Sequence, residues 1–474
     1  MTHPRETNAH SPPTRRTTEL LLLIVAIGAA IGGFVLAGFE LTGSLPPYLG
    51  VCASLFVGLA LLAHVAVRLL APWADPLLLP IATLLNGLGL TVIWGLHTAG
   101  PQQPGTAPRQ LLWSLIGLAA TIVVLLAVRE PRRLQRYPYL MAVCAIALIA
   151  SPILPVIGIE NYGARRWIGV AGFTAQPSEL AKIVGVIFLS SYLVIKRDVL
   201  SLAARRVMIG PVKVFTLPRL RDMGPMIVAW SVAILLLVGT RDLGTSLLLF
   251  ALFLAMLYVA TERKSWIAIG LALFLGAAYV AWLTFWHVQQ RVTIWLDAFE
   301  PRVYEATGGS FQVVQGLFAL AEGGLVGTGF GDGRAAQIFA ADSDYILVSV
   351  GEKFGLAGLM AVVVLLALLV ERGYRIALAA REPFIKIMAF GFAFLLAFQV
   401  FVVLAGVTRL IPLTGMTTPF LSAGGSSLIS SWIIVGLWLR MSDSVRRPAP
   451  TPPHEIDGGP TESLGALAAQ HSTR

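Results

Sequence analysis

Twelve apolar segments divide this sequence, and each approaches the ~20 largely apolar residues that an α-helix needs to cross a bilayer. Hydrophobic residues make up 56% of the 474 residues, and the mean hydropathy is +0.78. A soluble domain does not need this much apolar surface. We therefore predict an all-α polytopic membrane protein of about twelve transmembrane helices, with spans at 19–39, 47–70, 76–96, 111–128, 138–157, 178–195, 224–240, 243–260, 265–286, 343–370, 384–407 and 424–441.

The cysteines and histidines point away from disulfide and metal-centre chemistry. Cys52 and Cys144 are the only cysteines, and both lie inside apolar segments, so a disulfide framework is excluded. The seven histidines are scattered along the chain without the spacing of metal ligands. We expect no metal site built from histidine or cysteine.

The basic residues indicate how the chain lies in the membrane. Arginine and lysine concentrate in every second connection between the predicted spans, around residues 15–16, 68, 129–136, 196–221, 263–264, 372–386 and 446–447. By the positive-inside rule, both termini are then cytoplasmic. This placement accounts for the net charge of +10, so a nucleic-acid partner is not expected. The polar residues 1–18 and the Pro- and Gly-rich tail 442–474 are predicted to be disordered.

One long polar insertion, at residues 287–342, falls on the predicted outer side between the ninth and tenth spans. Structured loops of this length are usually functional. The outer connections also carry arginines that break the positive-inside trend, and guanidinium groups bind phosphate in a bidentate manner. Either these arginines bind an anion or they pair with the acidic residues of the same loops. The arginines are Arg165, Arg166, Arg241, Arg291, Arg302, Arg334 and Arg409.

Three separated stretches carry a family resemblance. They are 161–182 (NYGARRWIGVAGFTAQPSELAK), 291–358, and 408–427 (TRLIPLTGMTTPFLSAGGSS). In this order they resemble the signatures of the SEDS family, which includes FtsW, RodA and SpoVE. The resemblance covers about residues 76–441, so residues 19–75 form two transmembrane helices added to the usual ten. The chain looks like the longer actinobacterial members of the RodA/FtsW group.

The resemblance implies a peptidoglycan glycosyltransferase that polymerises lipid II on the outer face of the bacterial cytoplasmic membrane, for cell elongation or division. The donor would be a disaccharide linked to a polyprenyl pyrophosphate, and its transfer would invert the anomeric configuration. A class B penicillin-binding protein, which is a transpeptidase, would be the usual partner.

Several residues of these stretches are candidates for substrate binding. Arg165 and Arg166 are placed to hold the pyrophosphate, and Trp167 to anchor at the membrane interface. Lys182 lies within a predicted span and either functions there or pairs with Glu179. Gln312 and Gln315 would orient sugar hydroxyls. Asp344 either acts at the site or caps a helix, and Asp242 is read as a helix cap. Ser422 and Ser426 contact sugar or satisfy backbone groups of a broken re-entrant segment.

The catalytic carboxylate has two candidate positions. Glycosyl transfer needs a base for the acceptor hydroxyl, and the family carries an Asp seven residues before the Gln of a GYQ motif. Counting back from Gln312 gives Glu305, whereas alignment from Arg291–Asp297 gives Glu300. Neither position is Asp.

Three interpretations follow from this replacement. Glu305 serves as the base, Glu300 does, or the chain is a catalytically weak or inactive lipid II-binding scaffold or a lipid II flippase. The pyrophosphate is a good leaving group, so cations suffice to stabilise it. The sequence identifies no certain cofactor, and a divalent cation such as Mg²⁺ or Mn²⁺ is the candidate for the same purpose.

Overall fold

The structure is a computed structural model, and it describes residues 16–100, 106–161, 164–170, 173–196, 204–209, 212–218, 220–239 and 241–448. Most of the two termini predicted to be disordered therefore lies outside the described residues. The first helix begins at Arg16 and the last ends at Arg446, so each extends a few residues into the predicted tails.

The chain is mostly helical, as predicted. Ten helices of the described residues are long and apolar enough to cross a membrane, and the shorter apolar segments Pro138–Ile153 and Trp230–Gly239 lie at the fifth and seventh predicted spans. The helices are α1 (Arg16–Thr42), α2 (Leu49–Leu70), α3 (Leu78–Ala99), α4 (Thr106–Ala127), α5 (Pro138–Ala150), α6 (Pro177–Ile195), α7 (Leu220–Gly239), α8 (Leu243–Thr261), α9 (Lys264–Thr284), α10 (Trp286–Leu296), α11 (Pro301–Tyr304), α12 (Phe311–Gly323), α13 (Ile346–Ala379), α14 (Pro383–Val407) and α15 (Gly425–Arg446).

The break between α7 and α8 falls at Arg241 and Asp242, between the seventh and eighth predicted spans. Arg241 adopts a left-handed backbone conformation with φ 61°. Asp242 then caps α8, because its Oδ1 accepts a hydrogen bond from the backbone N–H of Thr245 at 3.3 Å. The capping interpretation of Asp242 is confirmed. A cap of this kind satisfies a donor that the first helical turn leaves free.

Two small antiparallel sheets join the helices, and the sequence analysis missed both. Strands β1 (Gly158–Asn161), β2 (Ala164–Val170) and β3 (Phe173–Ala175) form a sheet in the order β1-β2-β3 between α5 and α6. Strands β4 (Ala204–Ile209) and β5 (Val212–Pro218) form a hairpin between α6 and α7. The first sheet carries three of the predicted binding residues, because β2 contains Arg165, Arg166 and Trp167.

The first two helices pack on the rest of the bundle. Helix α1 packs on α3, and α2 packs on α4. Charged residues at the start of α1 pair inside this contact. Glu19 is buried and binds both Arg16 and His64, and 2.8 Å separates Glu19 Oε1 from His64 Nδ1. Arg16 Nε also donates to the carbonyl of Pro72 at 3.0 Å. Pairing of this kind makes burial of these charges tolerable.

Helix α13 contains a kink that only glycine accommodates well. Gly355 has φ +69°. Just beyond it, the backbone of α13 bonds to the residues that follow α12: Leu356 N donates to Gly324 O at 2.9 Å, and Ala357 N donates to Leu325 O at 3.1 Å. A Cβ at Gly355 would lie 2.4 Å from Gly327 N. The kink therefore fixes the residues that directly follow α12, in the loop that precedes α13.

We expect Gly355→Ala to destabilise the protein by about 2–4 kcal/mol, since a side chain at positive φ costs about 1–3 kcal/mol before the clash is added. The measurement is the thermal unfolding midpoint in detergent. Gly28→Ala is the matched control, because a Cβ at Gly28 meets nothing within 4 Å. Equal midpoints for the two variants would contradict this account of the kink.

Candidate functional site

Three segments meet at one end of the helix bundle, which we call the site end. They are the sheet β1–β3, the loop from α10 to the start of α13 (286–345), and the non-helical segment 408–424 between α14 and α15. Arg166 of the sheet bonds to the α7–α8 turn, and Arg291 of α10 donates to the carbonyl of Leu413. The site end therefore gathers all three sequence stretches that carry the family resemblance.

The segment 408–424 enters the bundle. A Cβ built on Gly89 would lie 2.7 Å from the carbonyl oxygen of Leu421, and Gly89 is ten residues before Ala99, where α3 ends. At 1.5 Å per residue, Leu421 thus lies about 15 Å below the end of α3. Thr418, Phe420, Leu421 and Ser422 are buried. The predicted broken re-entrant segment is confirmed, and protein surrounds it as such a segment requires.

Ser422 of this segment and Ser426 at the start of α15 satisfy backbone groups. Ser422 Oγ donates to the carbonyl of Ser343 at 2.7 Å and accepts from Thr418 N at 2.7 Å. Ser426 Oγ accepts from Gln176 N at 2.8 Å. Of the two interpretations offered by the sequence, the structure shows this one; sugar contact by Ser422 and Ser426 stays a prediction. These bonds hold the start of α13 against the re-entrant segment and the start of α6 against the start of α15.

A charge cluster of Arg166, Arg291 and Asp344 occupies the centre of the site end. Arg166 Nη2 donates to the carbonyl of Arg241 at 3.1 Å, and its buried Nε has no hydrogen-bond partner among the described residues. Arg291 Nη1 donates to the carbonyl of Leu413 at 2.6 Å. Burial and the positive charge of Arg166 lower the pKa of Arg291, while Asp242 and Asp344 act in the opposite direction. Within the cluster, two neighbouring guanidinium groups accompany the single carboxylate of Asp344, so the three residues carry a net positive charge that favours an anion.

Gly415 separates the charges of this cluster. It has φ +69°, and a Cβ there would lie 3.3 Å from Asp344 Oδ2 and 3.9 Å from Arg166 Nη1. The absence of a side chain leaves the space between carboxylate and guanidinium open to a ligand. Glycine at this position therefore permits the positive φ of the turn and keeps the space beside the two charged groups free of a side chain.

Asp344 is an unusual carboxylate. Burial raises its pKa to about 6, although the hydrogen bond from Ser343 Oγ to Asp344 Oδ1 (3.2 Å) and the charges of Arg166 and Arg291 each lower it. The folded state therefore binds the Asp344 proton more tightly than the unfolded chain, whose carboxyl titrates near 3.8. It follows that the stability contributed by this group falls as pH rises from about 4 to about 6, and is constant above that window.

We expect Asp344→Asn to remove this pH dependence. The variant should gain stability relative to the wild type between pH 5 and pH 8 by at most about 1.4 kcal/mol, because only about one pKa unit of the shift lies above pH 5 and partial solvent contact reduces the effect. Thermal unfolding at both pH values measures it. A difference between variant and wild type that is the same at pH 5 and pH 8 would contradict the raised pKa.

Lys182 lies deeper, inside the bundle. Its Nζ donates to Glu179 Oε1 at 2.8 Å and to Gln399 Oε1 at 3.1 Å. Glu179 Oε2 in turn accepts from Ser430 Oγ at 3.1 Å, and Gln399 Nε2 donates to the carbonyl of Thr417 at 2.7 Å. The pairing of Lys182 with Glu179 is thus observed, and this network supports the re-entrant segment from below. A direct role in ligand binding stays a prediction.

The other predicted binding residues lie around the cluster. Arg165 is exposed and pairs with Glu160 at 3.1 Å, while Trp167 is half-buried on the same strand. Gln312 Nε2 donates to the carbonyl of Phe339 at 2.7 Å, and Gln315 Nε2 to Tyr304 Oη at 2.9 Å. Both glutamines therefore brace the long loop. Arg291, which the sequence analysis counted only among the outer arginines, belongs to the cluster.

The two candidate bases lie on the surface of the long loop. Glu300 precedes α11 and Glu305 follows it, and both side chains are exposed. The loop between them is tight: Ser310 N donates to the carbonyl of Val303 at 3.0 Å, and Ser310 Oγ to that of Ala298 at 2.5 Å. Both carboxylates are accessible to a substrate, and the choice between them stays open.

The donors at the site end fit a metal only together with a ligand. No group of three or more histidine, cysteine, aspartate or glutamate side chains is assembled for a metal ion within the described ranges. Magnesium typically binds through one or two carboxylates plus substrate phosphates. Asp344, which faces the arginines, is the carboxylate that would complete such a set.

Comparison with known proteins decides the family. Residues 76–447 match the family model of the FtsW, RodA and SpoVE cell cycle proteins. The chain belongs to this family. A peptidoglycan glycosyltransferase RodA of Mycobacterium tuberculosis is 41% identical over 446 residues, which is 93% of each chain. A probable peptidoglycan glycosyltransferase FtsW of Geobacter metallireducens is 32% identical over 340 residues, covering 71% of this chain and 85% of that one.

The mycobacterial match is longer than the family region, so it includes part of the two helices before residue 76. Solved structures agree in fold. One chain of a peptidoglycan synthase complex has a TM-score of 0.61 at 24% identity and covers 78% of this chain and 98% of its own. The rod shape determining protein RodA of Thermus thermophilus has a TM-score of 0.54 at 23% identity, covering 78% and 96%. This family member therefore has the multi-pass fold of its relatives.

Proposed function

We propose that this protein is a peptidoglycan glycosyltransferase that polymerises lipid II on the outer face of the bacterial cytoplasmic membrane. The observation that carries the proposal is the Arg166–Arg291–Asp344 cluster at one end of a bundle of spanning helices. The names of the relatives, peptidoglycan glycosyltransferases RodA and FtsW, support the same activity. The reaction serves wall growth during cell elongation or division.

The site end faces outward in this proposal. The connections at the opposite end hold most of the lysine and arginine of the chain, including residues 129–136, 263–264 and 372–386. Positively charged connections stay in the cytoplasm, which places both termini inside. In this orientation, lipid II at the outer face of the membrane has direct access to the cluster.

The arginines bind the leaving group. Arg166 and Arg291 hold the pyrophosphate of the donor and stabilise the charge that develops as its bond to the sugar breaks. Arg165 and Trp167 contact the lipid-linked substrate at the rim, and Lys182 supports the site from below. A divalent cation bound by Asp344 and the phosphates would neutralise further charge.

The base lies on the other side of the reacting carbon. In an inverting transfer, the acceptor hydroxyl attacks opposite the leaving group, so the carboxylate that takes its proton cannot be Asp344 beside the arginines. Glu305 of the long loop takes this proton, with Glu300 as the alternative. The acceptor oxygen bonds to the anomeric carbon, the carbon–oxygen bond to pyrophosphate breaks, and polyprenyl pyrophosphate leaves. Gln312 and Gln315 hold the loop that carries both carboxylates.

A class B penicillin-binding protein is the proposed partner. One structural neighbour is part of a complex described as coordinating polymerization and crosslinking. A transpeptidase bound to this chain would crosslink the strands as they form.

The test is polymerisation of lipid II by the purified full chain. It is run with and without a cognate class B penicillin-binding protein whose transpeptidase is blocked, and glycan strands are separated by gel electrophoresis. We expect strands from the wild type in the presence of the partner. Binding of lipid II without strands under either condition would instead identify a lipid-binding scaffold.

A further inference from the structure

A cavity of about 620 Å³ lies between α1, α2, α3 and α4 at the site end. Two of its four walls are the helices that precede the family match, so the family core alone does not form it. Its size is within the range of small-molecule sites, about 300–1,000 Å³. The lining residues are Ala30, Ile31, Phe34, Pro47, Tyr48 and Cys52, together with others of the same four helices.

The cavity suits a hydrocarbon chain. Its walls are aliphatic and aromatic, and Phe34 and Trp94 pack edge to face at 4.8 Å between ring centroids. The hydroxyl of Thr91 donates a hydrogen bond to the carbonyl of Gly87 at 3.1 Å. Its hydrogen is therefore not free to bind a ligand. A polar ligand would lose its hydration here without compensation. A hydrocarbon chain has no such hydration to lose.

One residue of the lining is polar and incompletely bonded. His97 has its Nε2 3.0 Å from Asp342 Oδ2, and its buried Nδ1 has no hydrogen-bond partner in the part of the chain that the structure describes. The side chain of His97 is only 10% exposed. The cavity therefore has a mostly apolar lining, and the imidazole of His97 contacts the loop before α13.

His97 connects the cavity to the charge cluster. Asp342 is two residues before Asp344, and its backbone carbonyl accepts from Ala423 N at 2.7 Å. The helices of the cavity also touch the long loop directly, because Glu40 of α1 accepts from Gly331 N at 3.0 Å. The cavity thus lies beside the loop that carries Asp344, and two residues along the chain separate the His97 contact from that carboxylate.

We propose that this cavity holds the isoprenoid chain of a polyprenyl-linked substrate whose pyrophosphate lies at the cluster. The inference rests on the proposed function. That reaction joins two sugars that are each carried on a lipid, so the protein needs room for two chains beside one reaction centre. The two added helices supply a dedicated place for one of them.

The test uses a variant that fills the cavity and one that does not. Ala53 lines the cavity, whereas Leu55 of the same helix is 48% exposed and does not line it. Purified Ala53→Trp and Leu55→Trp are titrated with decaprenyl phosphate in nanodiscs, and bound lipid is quantified by native mass spectrometry. We expect Ala53→Trp to weaken binding about tenfold, the loss if the indole displaces about two methylene groups. Leu55→Trp should bind as the wild type does.

A second lipid and a rate measurement separate the possible outcomes. Dioleoyl phosphatidic acid carries the same phosphate on acyl chains; if Ala53→Trp weakens its binding equally, the cavity is a phospholipid site and the inference is overturned. Equal binding of decaprenyl phosphate by both variants overturns it as well. A wild type that binds decaprenyl phosphate in the cavity but forms no glycan strands contradicts the proposed function and leaves the cavity assignment standing.

Discussion

Glu305→Gln should lower the rate of lipid II polymerisation about 10²–10⁴-fold, the range by which a positioned general base accelerates proton transfer. Glutamine keeps the size of the side chain but cannot accept the proton of the acceptor hydroxyl. Because Glu305 is exposed, its replacement should not change the thermal unfolding midpoint. Strand formation at saturating lipid II measures the effect on kcat.

Glu300→Gln is the matched control, since Glu300 is exposed on the same loop, before α11 rather than after it. It should polymerise nearly as the wild type does. If Glu300→Gln loses activity and Glu305→Gln keeps it, the base is Glu300. Full activity in both variants would exclude Glu300 and Glu305 as the base.

Arg291→Ala should lower polymerisation about 10²–10³-fold, the usual cost of removing one group that stabilises developing negative charge. Arg291 is partly buried, donates to the carbonyl of Leu413 and lies beside Arg166. Arg166→Ala should have a similar effect, and the double variant should lose less than the product of the two, because the arginines act on one pyrophosphate.

Inhibition by inorganic pyrophosphate separates this role from a structural one. We expect pyrophosphate to inhibit the wild type and to inhibit Arg291→Lys more weakly, since lysine keeps the charge but loses the bidentate fork. Arg133→Ala is the control: Arg133 is exposed and paired with Glu130 in a connection away from the site end, so its loss should matter little. Unchanged pyrophosphate inhibition in Arg291→Lys and Arg166→Ala would place the leaving group elsewhere.

The helical fold could be predicted because hydrophobic length is a strong and local signal. The spans, the break at Arg241 and the cap at Asp242 all follow from composition and from one charged pair. The strands β1–β3 could not be predicted in the same way. They are three to seven residues long, and their pairing depends on the helices that bring both ends of the segment together.

The site could be predicted only in part. Arg166, Asp344 and Ser422 stand out in the sequence because they lie in family motifs, and the structure brings them together. Arg291 lies in a loop with several arginines, and nothing local distinguishes it; its burial beside Arg166 comes from the packing of α10 on the re-entrant segment. His97 is one of seven scattered histidines, and its contact with Asp342 joins residues far apart in the chain.

The most direct test of the central claim is the stoichiometry of the reaction. Purified wild-type protein is incubated with lipid II and its blocked partner, and released polyprenyl pyrophosphate is counted against new glycosidic bonds. The account predicts one polyprenyl pyrophosphate per bond, with both products falling together in Arg291→Ala. Bonds formed at the wild-type rate by Arg291→Ala and Arg166→Ala, or no bonds from the wild type with its partner, would contradict the account.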